Sequence, residues 1–152
     1  MTCLLAIDPG TTHSGWVLMR DGSPFNYGHD MENREVLEML RGTPLVPVAI
    51  EMIASYGMPV GAEVFETCLW IGRMIQVAGP DRVRLVFRRD VKLHICGSPR
   101  AKDPHVRQAL IDKWGGKAEA VGTVKKQGPL YGVKSHAWAA LGVAVTALET
   151  KP

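Results

Sequence analysis

The chain has 152 residues, which fits one compact domain and leaves no room for a second lobe of similar size. Its hydrophobic fraction of 46% and charged fraction of 22% are ordinary for a globular protein, and no apolar run approaches the roughly 20 residues needed to cross a bilayer. Three widely spaced cysteines without a Cys-x-x-Cys pair argue against a zinc finger or a disulfide scaffold. We therefore expect a single domain over residues 1–152, without a signal peptide, in the reducing cytoplasm.

The net charge of +3 is weak evidence, but its distribution along the chain is informative. Most acidic residues lie in the first half, whereas the stretch from 82 to 126 is strongly basic. The basic residues of that stretch are Arg82, Arg84, Arg88, Arg89, Lys92, Arg100, Lys102, Arg107, Lys113, Lys117, Lys125 and Lys126. Such a stretch favours an anionic polymer as partner, because neutralised phosphates release counterions; a solvated basic surface is the alternative.

Patterns in the first third of the chain predict an antiparallel meander followed by a helix. Residues 3–8 form an apolar run that ends in Asp8, and a Pro-Gly-Thr-Thr turn follows it. Residues 14–20 and 25–28 have strand patterns on either side of an Asp-Gly-Ser-Pro turn. Residues 32–41 have apolar side chains at helical spacing and precede a glycine, which is typical of a helix C-terminus.

The middle of the chain predicts alternating strands and helices. Residues 47–51 repeat the first pattern, an apolar strand that ends in a carboxylate, here Glu51. A loop containing glycine and proline separates this strand from a long, largely apolar helix at 62–78. A strand is predicted at 82–87 and a short helix at 89–95.

The last third of the chain predicts helices only. We expect a helix at 103–114 with Asp103 as its N-cap, a mobile loop at 115–134, and a final helix at 136–149 capped by Ser135. The resulting order of elements, βββαβαβααα, favours a ribonuclease H-like α/β fold with a mixed five-stranded sheet flanked by helices. A doubly wound nucleotide-binding fold would begin β-α-β instead.

Two acidic residues end two of the apolar strands. A strand interior tolerates no unpaired charge, so Asp8 and Glu51 are expected at the sheet rim, where open α/β sheets bind ligands. If the two strands are neighbours, the carboxylates converge and repel each other unless a hard cation such as magnesium binds between them. Each residue alone is equally consistent with a turn or surface position. His136, at the start of the last helix, is a candidate to join them, although such a histidine is often simply exposed.

Three segments resemble the RuvC family of Holliday-junction resolvases. Residues 6–16 (Ala-Ile-Asp-Pro-Gly-Thr-Thr-His-Ser-Gly-Trp) resemble that family's opening strand and turn, and residues 49–51 (Ala-Ile-Glu) resemble its second acidic strand end. Residues 135–144 (Ser-His-Ala-Trp-Ala-Ala-Leu-Gly-Val-Ala) are similar to its last helix, and closer to phage- or prophage-borne members than to the housekeeping enzyme. The segments follow the family's order and span nearly the whole chain. The resemblance implies a ribonuclease H-like nuclease that cuts branched DNA.

The resemblance also implies a set of site residues. Asp8, Glu51 and His136 match the first three metal ligands and catalytic positions of the family. The fourth ligand is normally aspartate, whereas this chain has Ala139, and alanine cannot bind a metal. Three explanations stay open: another carboxylate compensates, with Asp103 as the first candidate; the site works with fewer ligands; or the site is inactive, by nature or by an engineered substitution.

The implied reaction is two-metal hydrolysis of a phosphodiester with Mg²⁺ or Mn²⁺. One ion lowers the pKa of the attacking water and the other stabilises the leaving 3′ oxygen. The implied substrate is a four-way DNA junction, and cutting it symmetrically favours a homodimer with two equivalent sites. The long helix at 62–78 is a candidate for the dimer interface.

The residues that contact DNA are predicted less specifically than the metal ligands. In the family, an aromatic residue in the loop after the second acidic strand wedges against exposed bases, and Tyr56 is the candidate here. Such stacking is worth about 1–3 kcal/mol per base, although a tyrosine packed within its own loop is the alternative. The candidate phosphate contacts, each of which is otherwise a solubilising charge, are Arg100, Lys102, Lys125 and Lys126.

Three other functions stay open as alternatives. The Asp-Pro-Gly-Thr-Thr segment also resembles the phosphate loop of actin-like ATPases and sugar kinases, but these need a second lobe that 152 residues cannot supply. Ala139 favours a catalytically impaired protein that binds branched DNA without cutting it. A nuclease for flaps or RNA–DNA hybrids is the third alternative, because a fold does not determine its substrate.

Overall fold

The computed structural model describes residues 2–152, which form a mixed five-stranded sheet with helices on both faces. The strands are β1 Cys3–Asp8, β2 His13–Arg20, β3 Ser23–Glu32, β4 Val48–Met52 and β5 Val83–Phe87. The α-helices are α1 Asn33–Gly42, α2 Ala62–Ala78, α3 Arg88–Cys96, α4 Asp103–Lys113, α5 Lys117–Ala120 and α6 His136–Glu149, and a 3₁₀ turn at Pro80–Arg82 precedes β5. The predicted fold class is confirmed. Within residues 2–152 no helix combines the length and apolarity that spanning a membrane requires.

The strand order is β3-β2-β1-β4-β5. The first three strands pair antiparallel, as the predicted meander requires, and β1, β4 and β5 run parallel to one another. The carboxyl ends of these three parallel strands therefore lie at the same edge of the sheet. Residues at or just after those ends are brought together although they are far apart in the sequence.

β1 is the central strand and is buried on both faces. Leu4 and Ala6 pack into a core beneath α6, whereas Leu5 and Ile7 pack into a second core beneath α1 and α2. This division follows from strand geometry, because successive side chains point to opposite faces. An unbroken apolar run is typical of a parallel strand covered on both sides. Burial of each large side chain stabilises the fold by about 1.5–3 kcal/mol.

α6 lies across one face of the sheet and contacts all five strands. Its buried side is formed largely by small residues, among them Ala137, Ala140 and Ala144, which are fully buried. Small side chains let the helix approach the sheet closely, so its first residue is held against the rim where β1 ends. α3 and α4 pack beside α6 on the same face.

Three sequence predictions about element ends are wrong in detail. α4 begins at Asp103, so Lys102 is the N-cap, and its backbone N–H donates to the His105 imidazole over 3.1 Å. Ser135 occupies the N-cap position of α6, but its side chain makes no capping hydrogen bond. β3 extends over Ser23–Glu32, well beyond the predicted 25–28, because this edge strand is rich in polar residues that obscure its pattern.

The segment 115–134, predicted to be a mobile loop, is instead packed against the domain. It contains α5, and its residues Ala120 and Leu130 are fully buried. Gly122 has φ of 72°, and a Cβ at this position would lie 2.2 Å from the carbonyl oxygen of Lys126. The glycines that suggested mobility therefore serve tight turns and close backbone approach.

Candidate active site

Asp8 and Glu51 lie side by side at the sheet rim. The parallel register pairs Ile7 with Ile50, so the next residue on each strand is one of the two carboxylates. Each carboxylate ends an apolar, buried run, and their side chains expose only 12% and 7% of their surface. The convergence expected from the sequence is therefore confirmed in position.

The Glu51 carboxyl is held in an environment that disfavours its charge. Burial, and then repulsion by the nearby Asp8 carboxylate, raise its pKa to about 7, against the smaller lowering effect of the Arg88 guanidinium. A buried carboxyl that loses its proton only near neutral pH gains most from a cation close by. This rim therefore attracts positive charge.

His136 joins the two carboxylates from the opposite side of the rim. It is the first residue of α6, and its Nδ1 lies 3.1 Å from an Oδ of Asp8. This hydrogen bond raises the pKa of the imidazole. Gly15, which pairs with Asp8 across β1 and β2, permits the approach, since a Cβ there would lie 2.5 Å from the His136 carbonyl.

Arg88 is a site residue that the sequence analysis named only as one of many basic residues. It follows the last residue of β5, at the same sheet edge as Glu51, and its guanidinium lies 3.6 Å from the Glu51 carboxylate. The same guanidinium donates to Asp103 over 2.6 Å. The available signal was a charged residue directly after the end of a third strand, β5.

Asp103 is linked to the site by its ion pair with Arg88. It also lines the same cleft as Ala139. This cleft, of about 310 Å³, is also lined by Asp8, Arg88 and His136. Ala139 follows His136 by three residues on α6, so both lie on the same face of that helix. The carboxylate absent at position 139 therefore has a counterpart on the opposite wall, contributed by α4.

Comparisons with known proteins agree with this architecture. No protein-family model matches the chain, and no curated protein matches its sequence. Among solved structures, Thermus thermophilus RuvC is similar over 97% of this chain and 93% of that one, with 20% identity and a TM-score of 0.65. A structure described as T. thermophilus RuvC in complex with a Holliday junction substrate has the same coverage and identity and a TM-score of 0.67.

The chain has the RuvC fold. At 20% identity the likeness establishes the architecture only.

On this RuvC fold a second cleft, of about 380 Å³, adjoins the acidic rim and is strongly basic. Tyr56 lies in its wall with 58% of its surface exposed, and the Arg89 guanidinium lies 5.4 Å from the centre of the Tyr56 ring. The other charged residues of its lining are Arg88, Lys92 and Arg100. The structure thus brings together Tyr56 and Arg100, two of the five predicted DNA contacts, and adds Arg89 and Lys92.

The three remaining candidates lie outside these clefts. Lys102 is exposed at the N-cap of α4, one residue before Asp103. Lys125 and Lys126 are exposed in a turn between the bridged residues Gly122 and Gln127. Their roles as phosphate contacts stay predictions.

The donor set at the rim fits a hard divalent ion. Carboxylate oxygens and an imidazole nitrogen suit magnesium or manganese, and the raised pKa of Glu51 marks a negative charge in need of a cation. Within residues 2–152 no three His, Cys, Asp or Glu side chains already have the geometry of a metal site. Glu51 and Asp103 instead each lie within ion-pair distance of the Arg88 guanidinium.

Proposed function

We propose that residues 1–152 form one nuclease domain that cuts branched DNA and resolves four-way junctions in a metal-dependent reaction. The observation that carries the proposal is the rim itself: Asp8, Glu51 and His136 meet at the carboxyl ends of β1 and β4, on a RuvC fold. A solved protein with this fold is described as bound to a Holliday junction substrate, which makes a junction the first substrate to test.

Asp8, Glu51 and His136 are the residues that would hold the ion. A bound divalent ion lowers the pKa of a water molecule and neutralises charge that develops on a phosphate. In the reaction the water oxygen forms a bond to phosphorus and the water gives up a proton to a neighbouring base. The bond from phosphorus to the 3′ oxygen breaks, and that oxygen keeps the electron pair and takes up a proton to become a hydroxyl. The expectation of two ions per site stays a prediction, and Ala139 removes one of the carboxylates that it needs.

The protein's own groups can position the water and take up its proton. The Asp8 carboxylate accepts a hydrogen bond from the His136 ring, which fixes the ring against the rim. Because that bond uses Nδ1, Nε2 is left to bind an ion or to hold a proton. The His136 side chain is 64% exposed, so a phosphate entering the cleft can reach it.

The basic cleft is the proposed path for the DNA strand. Tyr56 offers an exposed ring for stacking, and its neighbours Arg89 and Arg100 offer guanidinium groups to the phosphates. The cleft adjoins the acidic rim through Ile53 and Arg88, which line both. A strand bound along it would therefore place a phosphate beside Glu51.

Symmetric cutting of two strands requires two sites, and we propose a homodimer formed through α2. The supporting observation is that α2 has two apolar faces. Ile71 and Met74 are buried in the core, whereas Phe65 and Leu69, one turn apart, expose 62% and 67% of their surface. Light scattering at micromolar concentration tests this: the unmodified chain should have twice the mass of the variant Leu69→Asp. A monomeric mass with and without a junction would contradict it.

The function is tested by cleavage of a synthetic four-way junction, with linear duplex, flap and RNA–DNA hybrid as comparison substrates. Each is incubated with magnesium, with manganese and with chelator. The variant Asp8→Asn should lose the activity, whereas Asp81→Asn, in the 3₁₀ turn that precedes β5 at the other end of that strand, should retain it.

Each outcome has a distinct meaning. Paired, metal-dependent nicks in the junction alone would support the proposal. Cleavage of flap or hybrid instead would support a different nuclease on the same fold. Tight junction binding without cleavage would support the branched-DNA-binding alternative, for which Ala139 is the supporting residue.

A further inference from the structure

Arg88 lies where three clefts meet. It lines the basic cleft that contains Tyr56, the acidic cleft that contains Asp8 and Glu51, and the cleft between Asp103 and Ala139. Among residues 2–152 it is the one residue that lines all three of them. A phosphate that passes from the basic cleft to the acidic rim therefore meets this guanidinium.

Its contacts leave the guanidinium able to take another partner. The nitrogen that faces Glu51 is 3.6 Å from the carboxylate, which is an ion pair but too long for a hydrogen bond. The other nitrogen donates to Asp103, whose side chain is 75% exposed, and Arg88 itself is 45% exposed. The Arg88–Asp103 pair is therefore open to the solvent and to a ligand in the cleft, and the guanidinium remains accessible although its other partner, Glu51, is buried.

Four carboxylates line these clefts. Asp8, Glu51 and Asp103 act on Arg88, which stands between Glu51 and Asp103, and the fourth, Asp30, is exposed and lines the acidic cleft. Ala139 adds no carboxylate to the cleft that it lines. A second divalent ion held by both Glu51 and Asp103 would need the space that the guanidinium now occupies.

We propose that Arg88 supplies the second positive charge of the reaction centre: each site binds one divalent ion, and the guanidinium contacts the phosphate that is cleaved. This inference rests on the proposed phosphodiester cleavage. A planar guanidinium binds two phosphate oxygens at once and keeps its charge at every pH at which the protein is folded. Donors fixed beside a phosphate stabilise the charge that develops during transfer, as a second metal ion does in two-metal sites.

Asp103 has a definite role in this arrangement. By accepting from one guanidinium nitrogen it holds Arg88 beside the cleft that Ala139 leaves open. Asp103 is thus a positioning residue for Arg88 and is not needed as a metal ligand. This assignment separates the inference from the expectation that Asp103 replaces the missing ligand at position 139.

The test counts manganese ions and does not depend on cleavage. Isothermal titration and electron paramagnetic resonance with Mn²⁺ are applied to the unmodified protein and to Arg88→Met, Ala139→Asp and the double variant that carries both. The unmodified protein should bind one ion per chain with the signal of isolated Mn²⁺. The double variant should bind two, with the signal of a coupled pair about 3.5–4 Å apart. Arg34→Met, which removes an exposed charge on α1 outside these clefts, should still bind one ion.

Junction cleavage gives the second readout. Arg88→Met should reduce the rate constant by about 100-fold or more at saturating DNA, since removing one fixed donor in other enzymes has that effect. Arg88→Lys should recover part of the rate, and the double variant should recover more than Arg88→Met alone. Circular dichroism of each variant shows whether a loss reflects unfolding.

The outcomes are distinguishable. Two ions per chain in the unmodified protein, or unchanged cleavage by Arg88→Met, would overturn the role of Arg88 and leave the nuclease proposal standing. No bound Mn²⁺ and no cleavage of any branched substrate would overturn the nuclease proposal and the inference with it. One ion per chain together with a 100-fold loss in Arg88→Met would support both.

Discussion

Helices α3, α4 and α6 carry a cluster of charged residues at each of their two ends, and the two clusters differ in how their charges are balanced. The first residues of these helices are Arg88, Asp103 and His136, which belong to the candidate active site. Their last turns contribute the far cluster, formed by His94, Lys113 and Glu149. The same three helices therefore permit a direct comparison.

In the far cluster every charge has a partner. His94 lies 2.8 Å from one carboxylate oxygen of Glu149, and the Lys113 ammonium donates to the other. These contacts lower the pKa of Glu149, and the hydrogen bond from Lys113 has the largest effect. The Glu149 side chain is 39% exposed. Cationic groups are also favoured at the C-terminal ends of α3 and α4 by the helix dipole.

In the active-site cluster the pKa of a glutamate is shifted in the opposite direction, upwards. Burial and the Asp8 carboxylate raise the pKa of Glu51 to about 7, because the fold forces two carboxylates together and provides only part of the balancing charge. The far cluster therefore stabilises the fold, whereas the buried pair of carboxylates in the active-site cluster costs stability.

Glu51→Gln is expected to have the largest effect, with opposite signs on activity and stability. Cleavage should fall by about 100-fold or more, since even outer-shell partners of metal ligands are worth 10–100-fold. Metal-free protein at pH 8 should gain up to roughly 3 kcal/mol in its free energy of unfolding, the equivalent of a pKa raised from 4.5 to about 7. The measurements are junction cleavage and urea unfolding in chelator.

The stability gained by Glu51→Gln should depend on pH. Between pH 4.5 and about 7 the folded protein keeps a proton on Glu51 that the unfolded chain has lost, so stability falls as the pH rises. The gain from glutamine should therefore be absent below pH 4.5 and complete above pH 7. Glu66→Gln, exposed on α2, is the matched control. Equal stability of Glu51→Gln and the unmodified protein at pH 8 would contradict the strained-carboxylate interpretation.

Gly15→Ala should disturb the active-site cluster through packing alone. A Cβ at Gly15 would lie 2.5 Å from the His136 carbonyl and 2.7 Å from the His136 Cβ, so β2 and α6 must move apart. The expected loss in the free energy of unfolding is about 1–3 kcal/mol, with slower cleavage because His136 leaves Asp8. Chemical denaturation measures it. Gly72→Ala, on α2 with open space around it, should be neutral or slightly stabilising, which controls for adding a methyl group.

Arg84→Met should weaken the far end of α6 without affecting the chemistry. The Arg84 guanidinium donates to the carbonyls of Ala147 and Thr150, each over 2.9 Å, and so ties the end of the helix to β5. The same guanidinium also donates to the Thr150 hydroxyl and the Lys151 carbonyl. Its loss should cost about 1–2 kcal/mol in the free energy of unfolding, since all four of these partly exposed, charge-assisted hydrogen bonds are removed. Cleavage at a temperature well below the melting point should be unchanged. A tenfold loss of activity would show that the two ends are coupled.

The contrast between the clusters also explains what the sequence could predict. Asp8 and Glu51 could be proposed from the sequence because each ends an apolar strand, where a charge is best tolerated at the rim of the sheet. Their convergence depended on the two strands being neighbours, which the parallel pairing of β1 and β4 supplies. His136 followed from the resemblance to RuvC proteins. The fold class followed from the order of elements.

The Arg88–Asp103 pair could not be predicted in this way. It depends on how α3 and α4 pack and on which residue begins α4, and neither is encoded by a local pattern. The prediction of Asp103 as an N-cap was wrong for the same reason, since Lys102 takes that position. The segment 115–134 was wrongly predicted to be a mobile loop, because glycine is common both in mobile loops and in tight, buried turns.

Glu149→Gln should have the smallest effect, because an exposed, fully partnered carboxylate contributes little. The lowered pKa means that the charged form of Glu149 stabilises the folded protein above the carboxyl's ordinary pKa, and that this contribution disappears as the pH falls through the lowered value. At pH 7 the variant should therefore lose about 0.2–1 kcal/mol in its free energy of unfolding, and at low pH it should match the unmodified protein. Salt of 1 M should shrink the difference at pH 7, since exposed ion pairs are screened. Thermal unfolding from pH 3 to 8 measures this curve, and it should slope oppositely to that of Glu51→Gln. If Glu149→Gln were stabilised at pH 7, the far cluster would also be strained, and the distinction between the two ends of these helices would be wrong.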